Sequence, residues 1–167
     1  MSTLDNRIQD FLAQKKIAVV GISDRRDTGC NTAYQRFKAN GYKVYGINPR
    51  IKVYEGDPVY ADLKSLPEAP DAVFILAKPS VTEEIVDQAI EVGAKHIWMH
   101  CMMGVRPGLA KNMTSVSQAA VDKAIENGIS VIPGTCPNQY LEADGAHRFM
   151  NRFFKLLGFL RLAPQHQ

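Results

Sequence analysis

Residues 38–49 read KANGYKVYGINP. The first residues close a helical pattern, and Gly41 stands where a helix C-terminus takes positive φ. Val44 to Ile47 then run apolar, as a buried strand does. The same plan recurs as AIEVGAKHIWMH at 89–100, with Gly93, and as AIENGISVIPGT at 124–135, with Gly128. Extending this reading outward gives five strand-like runs: Ile17–Val20, Val44–Ile47, Ala72–Leu76, His96–His100 and Ile129–Ile132. Helical patterns separate them at roughly 30–41, 62–66, 81–92 and 115–127. Near-continuous apolar strands suit a mainly parallel sheet covered on both faces. Alternation with right-handed crossovers makes it a doubly wound α/β fold of five strands.

Composition narrows the class further. The chain has 167 residues, 46% apolar and 22% charged, which is the balance of a single globular domain and excludes intrinsic disorder. A net charge of +3, from 20 bases and 17 acids, is too mild for a nucleic-acid or anionic-membrane partner. Three cysteines, an odd number, form no disulfide framework and suit a reducing compartment. No apolar run is long enough to span a membrane, and the N-terminus lacks the apolar core of a signal peptide. A cytoplasmic location is therefore expected, which leaves the sequon Asn112-Met113-Thr114 idle.

At the ends, Leu4, Ile8, Phe11 and Leu12 read as an amphipathic lead-in helix. Residues 147–162, HRFMNRFFKLLGFLRL, carry Arg148, Arg152, Lys155 and Arg161 and no acid. Four cations are few for an interfacial anchor, so this helix is expected to pack on the sheet or on a second copy.

Ligands of open α/β sheets bind beyond the C-terminal ends of the strands, near the point where strand order reverses. The loop after the first strand begins at Gly21, and Thr28, Gly29, Cys30 and Asn31 open the next helix. Unpaired N–H groups and the helix dipole at such a start attract phosphate. The full dinucleotide fingerprint is missing, since Ser23 and Arg26 replace its later glycines. After the second strand comes Asn48-Pro49-Arg50, with Lys52 beyond and no acid to bind a ribose 2′-hydroxyl. Bases there, with Arg25 and Arg26 nearby, suit a phosphorylated ribose, as in NADP or coenzyme A.

Five segments carry a resemblance: VVGIS (19–23), NGYKVYGINP (40–49), PDAVFILAKPS (70–80), EEIVDQAIEVGAKHIWMH (83–100) and ISVIPGTCPN (129–138). In this order and spacing they resemble the stand-alone coenzyme A-binding domain family. That family is Rossmann-like and similar to the N-terminal domain of the succinyl-CoA synthetase α-subunit. The resemblance covers roughly residues 15–140. It implies a CoA or acyl-CoA ligand. Gly21, Ile22, Ser23 and the helix start at Cys30 would meet the pyrophosphate, while Asn48, Pro49 and Arg50 would hold the phosphorylated ribose. Ala77, Lys78, Pro79 and Ser80 match a loop on the nucleotide, and the loop Cys101 to Gly104, with Met103, matches one along the pantetheine arm. Cys30 stands where the family often has Ser. The synthetase's phosphorylated His belongs to a domain this chain does not contain.

The ligand edge also holds His100, Cys101 and Cys136. At a helix start beside arginines, Cys30 is expected to have a lowered thiol pKa, and a mixed disulfide with CoA would involve Cys30 or, if Cys30 lies by the pyrophosphate, Cys101 or Cys136; the alternative is that all three are small apolar side chains filling loops. Cysteine and histidine spacing fits no compact zinc pattern, and no nucleophile elbow, Walker loop or zincin motif is present. The expected function is a non-catalytic module that sequesters, senses or delivers CoA, alone or with a protein partner. Alternatives are an NADP-dependent oxidoreductase and the CoA-binding subunit of an acyl-CoA ligase or transferase.

Overall fold

The computed structural model describes residues 3–25, 27–110, 112–141 and 145–162. Helix α1 (Leu4–Leu12) leads into β1 (Lys16–Val20), followed by α2 (Gly29–Ala39) and β2 (Lys43–Ile47). The chain continues through β3 (Val53–Tyr54), β4 (Asp57–Tyr60), β5 (Ala72–Ile75) and α3 (Pro79–Val92). Then come β6 (His96–Met99), a single turn α4 (Pro107–Ala110), α5 (Gln118–Glu126) and β7 (Ser130–Pro133). A 3₁₀ turn (Pro137–Gln139) and α6 (Gly145–Leu156) end the described chain.

The sheet has seven strands, in the order β3-β4-β2-β1-β5-β6-β7, rather than the five expected. The five expected strands form its parallel body, with Val20 opposite both Ile47 and Ile75. The two additional strands are a short hairpin. Glu55 (φ 51°) and Gly56 (φ 85°) both lie in the left-handed region, as a tight two-residue hairpin turn requires. β4 then joins β2 in parallel through Gly46–Val59 and Ile47–Tyr60. Pro58 within so short a strand hides the hairpin from a sequence reading. The helix expected at 62–66 is absent. Asp62 and Ser65 instead bond each other's backbone in a turn, and Leu63 fills the core there.

Alternate strand residues build two cores. Ala18, Val20, Val73, Ile75 and Ile97 face α3 and α5. Ile17, Val19, Phe74, Trp98 and Ile132 face α1, α2 and the C-terminal segment. Helices therefore cover both faces. Gly41, Gly93 and Gly128 all take positive φ where their helices end. α1 buries Leu4, Ile8 and Phe11, as its pattern predicts.

α6 packs inward through a narrow stripe. It docks through Asn151 and Phe154, and Phe159 stacks on Phe154. Phe149 and Leu156 point outward, 69% and 83% exposed. Among the described residues no helix is long and apolar enough to cross a membrane.

Candidate binding site at the strand ends

Because β1, β2, β5, β6 and β7 are parallel, their following loops share one edge of the sheet. Strand order reverses between β1 and β5, which puts the crevice between the loops at Gly21 and Leu76. Gly21 has φ 110°, and a Cβ on it would lie 2.1 Å from the Leu76 carbonyl oxygen. Its lack of a side chain is thus demanded by the neighbouring strand before any ligand arrives.

Two asparagines hold the first loop. The buried Asn31 side chain accepts from the Ser23 amide (3.1 Å) and the Thr28 hydroxyl (2.8 Å), and donates to the Ser23 carbonyl (2.7 Å). Asn48 donates to the Ile22 carbonyl (2.6 Å), and its oxygen accepts from the Arg50 amide (2.8 Å). Asn48 therefore acts as a clamp between loops. Ile22 is fully buried, whereas Pro49 and Arg50 are exposed at the turn after β2. The sequence places Asn31 at the helix start but gives it no separate role. Its signal was present, since it lies three residues after the N-cap Thr28, on the helix that follows the glycine turn.

Cys30 overturns an expectation. It does start α2, but its side chain is fully buried and its thiol lies 3.4 Å from the Val20 carbonyl. Desolvation pushes its pKa far up, and the nearby Cys136 pushes the same way. The helix-start effect loses because Cys30 belongs to the buried stripe with Ala33, Tyr34 and Phe37. Burial likewise raises Cys101, and lifts Cys136 to about 11. None of the three thiols is poised as a thiolate.

The loop after β6 also turns inward. Cys101 is buried and bridges Thr114 and Thr135, and its amide donates to the Thr135 carbonyl (3.1 Å). Met103 packs on the core, and Gly104 accepts from the Thr135 amide and lies under Phe159. The member of this loop that faces outward is Met102.

Two clefts open along the edge. One, of about 490 Å³, is lined by Ser23, Arg25 and Asn31 together with Asp24, Asp27 and Glu55. The other, of about 940 Å³, brings Ala77, Lys78, Pro79 and Ser80 together with His100, Met102 and Met113. Desolvation lowers the His100 pKa to about 4, so the ring is neutral at physiological pH. Arg26 lies outside the described residues. Arg25, Arg50, Lys52 and Lys78 make no ion pair among the described residues, while Lys16 and Lys43 at the opposite edge are held by Glu68. No group of His, Cys, Asp and Glu side chains among the described residues could hold a metal ion.

Comparison with known proteins gives a consistent picture. A family model described as a CoA binding domain matches residues 15–141. The uncharacterized protein YneT of Bacillus subtilis is 26% identical over 122 residues, covering 73% of this chain and 82% of that protein. A hypothetical protein of Pyrococcus horikoshii superimposes with a TM-score of 0.70 at 29% identity, covering 82% of this chain and 91% of the other. Acetyl-coenzyme A synthetase 1 of Ca. Korarchaeum cryptofilum, in complex with phosphate and ADP, shares the fold with a TM-score of 0.60 at 22% identity. That match covers 74% of this chain and 26% of the synthetase.

Proposed function

This chain belongs to the CoA binding domain family, and on that premise we propose that it is a CoA-binding module that holds or delivers the cofactor. The observation that carries the reading is the set of uncommitted cations at the strand ends. Arg25, Arg50, Lys52 and Lys78 have no acidic partner among the described residues. CoA presents a pyrophosphate and a 3′-phosphate, and unpaired bases near a helix start suit both. In this reading Arg50 and Lys52 take the 3′-phosphate. Arg25 and the α2 start take the pyrophosphate, offsetting Asp24, Asp27 and Glu55 in the smaller cleft. Lys78 meets the pantetheine arm. The loop geometry that Asn31 and Asn48 impose serves to present these groups in a fixed arrangement.

Binding is favoured over turnover by the state of the reactive groups. The cysteines are buried with raised pKa values, and His100 is a weak base at neutral pH. Titration calorimetry with CoA, dephospho-CoA and NADP tests the proposal. CoA should bind, and Arg50→Glu should weaken CoA on the order of 10-fold more than dephospho-CoA, as the loss of a charge-assisted contact predicts. Equal losses for both ligands would remove Arg50 from the 3′-phosphate. Binding of NADP without CoA would overturn the reading in favour of an oxidoreductase.

A further inference from the structure

The larger cleft contains more than an anion site needs. Its outward side chains include two methionines from separate segments, Met102 at 47% and Met113 at 55% exposure. They are held in register, since the Met102 amide donates to the Met113 carbonyl at 3.2 Å. The segment bearing Met113 is tied down just after it, at Ser115. The Ser115 amide donates to the His100 carbonyl at 2.7 Å, its hydroxyl accepts from the Ala77 amide at 3.0 Å, and Thr82 bonds its carbonyl. The position of Met113 is therefore fixed by its bond to Met102 and by the anchor two residues on. Thioether side chains adapt their shape and suit an apolar guest of variable form.

The inner side of the cleft is formed by the half-buried His100. Its ring sits edge-on to Phe74 at 6.3 Å. The same desolvation that keeps His100 unprotonated penalises any charge brought there. Lys78 stands exposed at the rim, where it can reach polar groups without entering.

Position along the edge completes the argument. In the order β2-β1-β5-β6, the uncommitted cations Arg25, Arg50 and Lys52 follow β1 and β2, and the cleft lies beyond β5 and β6. Three strand spacings, roughly 14 Å in all, separate the outer strands of that set. A ligand with its phosphates at one end and an arm across the edge brings its far end to the methionines.

We infer that the cleft between the ends of β5 and β6 receives the acyl group of an acyl-CoA, and that it selects a short, uncharged acyl chain over the free thiol. The inference rests on the CoA reading above and adds the class of thioester. Met102 and Met113 flank the chain, Pro79 closes one side, and the neutral His100 ring lies beneath it.

Calorimetry with CoA, butyryl-CoA and succinyl-CoA on wild type and Met113→Gln tests this. The readout is the affinity ratio of butyryl-CoA to CoA, so that any general weakening cancels. Wild type should favour butyryl-CoA on the order of 10-fold, about what two buried methylenes supply, and Met113→Gln should reduce the ratio to about 2. A second measurement, the methyl signals of ¹³C-labelled methionines, should show Met102 and Met113 shifting further with butyryl-CoA than with CoA. A wild-type ratio near one overturns the acyl inference and leaves the CoA reading intact. Tighter binding of succinyl-CoA overturns the uncharged class, and an unchanged ratio in Met113→Gln with static methyl signals overturns the placement. Failure of every CoA species to bind overturns the CoA reading itself.

Discussion

Gly21→Ala separates two reasons for a glycine after the first strand, room for a ligand or room for a neighbouring strand. At φ 110° an alanine is strained, and its Cβ would lie 2.1 Å from the Leu76 oxygen and 3.1 Å from the Leu76 carbonyl carbon. Ordinary Cβ contact is 3.4–4 Å, and contacts under 3.0 Å essentially never occur. The obstacle is backbone, so no rotamer change relieves it. The end of β5 must move by about an ångström, which strains the bond from the Leu76 amide to the Val20 carbonyl at 3.0 Å. The backbone conformation costs roughly 1–2 kcal/mol, the forced shift roughly 1–3 and the weakened hydrogen bond about 1. The sum, roughly 3–6 kcal/mol, is a large part of the 5–15 that hold a domain folded. At about 2–4 °C per kcal/mol for a chain of this size, melting should fall by roughly 6–24 °C. Urea unfolding of wild type and variant measures this, with CoA titration on the fraction that remains folded. A loss under about 1 kcal/mol would refute the reasoning, because it would mean β5 yields freely. If CoA binding also vanished in so stable a variant, the glycine would be there for the ligand.

Three further outcomes are expected. Asn31→Ala removes bonds to both polar groups of the Ser23 backbone, and should cost about 2–4 kcal/mol and speed amide exchange at Ser23. Unchanged exchange would show that the loop holds itself. Glu68 accepts from Lys43, Tyr45 and Lys16, which lower its pKa to about 2, below the unfolded value near 4.5. Its contribution is therefore present above pH 4.5 and lost as pH falls toward 2, and Glu68→Gln should flatten that limb of the stability curve. An unchanged acid limb would show that these contacts do not persist in solution. Cys30, Cys101 and Cys136 should resist alkylation at pH 8 in the native protein and react once it is unfolded, since all are buried with raised pKa values. Rapid labelling of Cys30 would contradict the packing of α2 on β1.

Local chemistry made the repeating plan legible. Gly41, Gly93 and Gly128 end their helices because an unstrained positive φ is a property of glycine itself. The apolar runs near Ile17, Val44, Ala72, His96 and Ile129 form strands because a parallel sheet covered on both faces favours near-continuous apolar runs. The same alternation sets the following loops on one edge, so Arg25, Arg50 and Lys78 at the strand ends are legible from the chain alone. The family model and the resemblance agree on nearly the same span, residues 15–141.

What stayed hidden depends on neighbours distant in the chain. β3 and β4 are too short to announce themselves, and β4 forms only because β2 offers an open edge at Gly46 and Ile47. Cys30 sits where the sequence put it, yet the rotation of α2 onto β1 turns its thiol into the core and reverses the expected pKa shift. Met102 and Met113 look like any surface methionines until the Cys101–Thr114 bridge sets them side by side. Gly21 was legible as a required glycine, but whether a phosphate or the Leu76 carbonyl requires it was decided by the approach of β5. Propensity and periodicity act over a few residues and are written in the chain. Burial, charge state and close approach arise from segments far apart in sequence, and only the folded sheet brings those together.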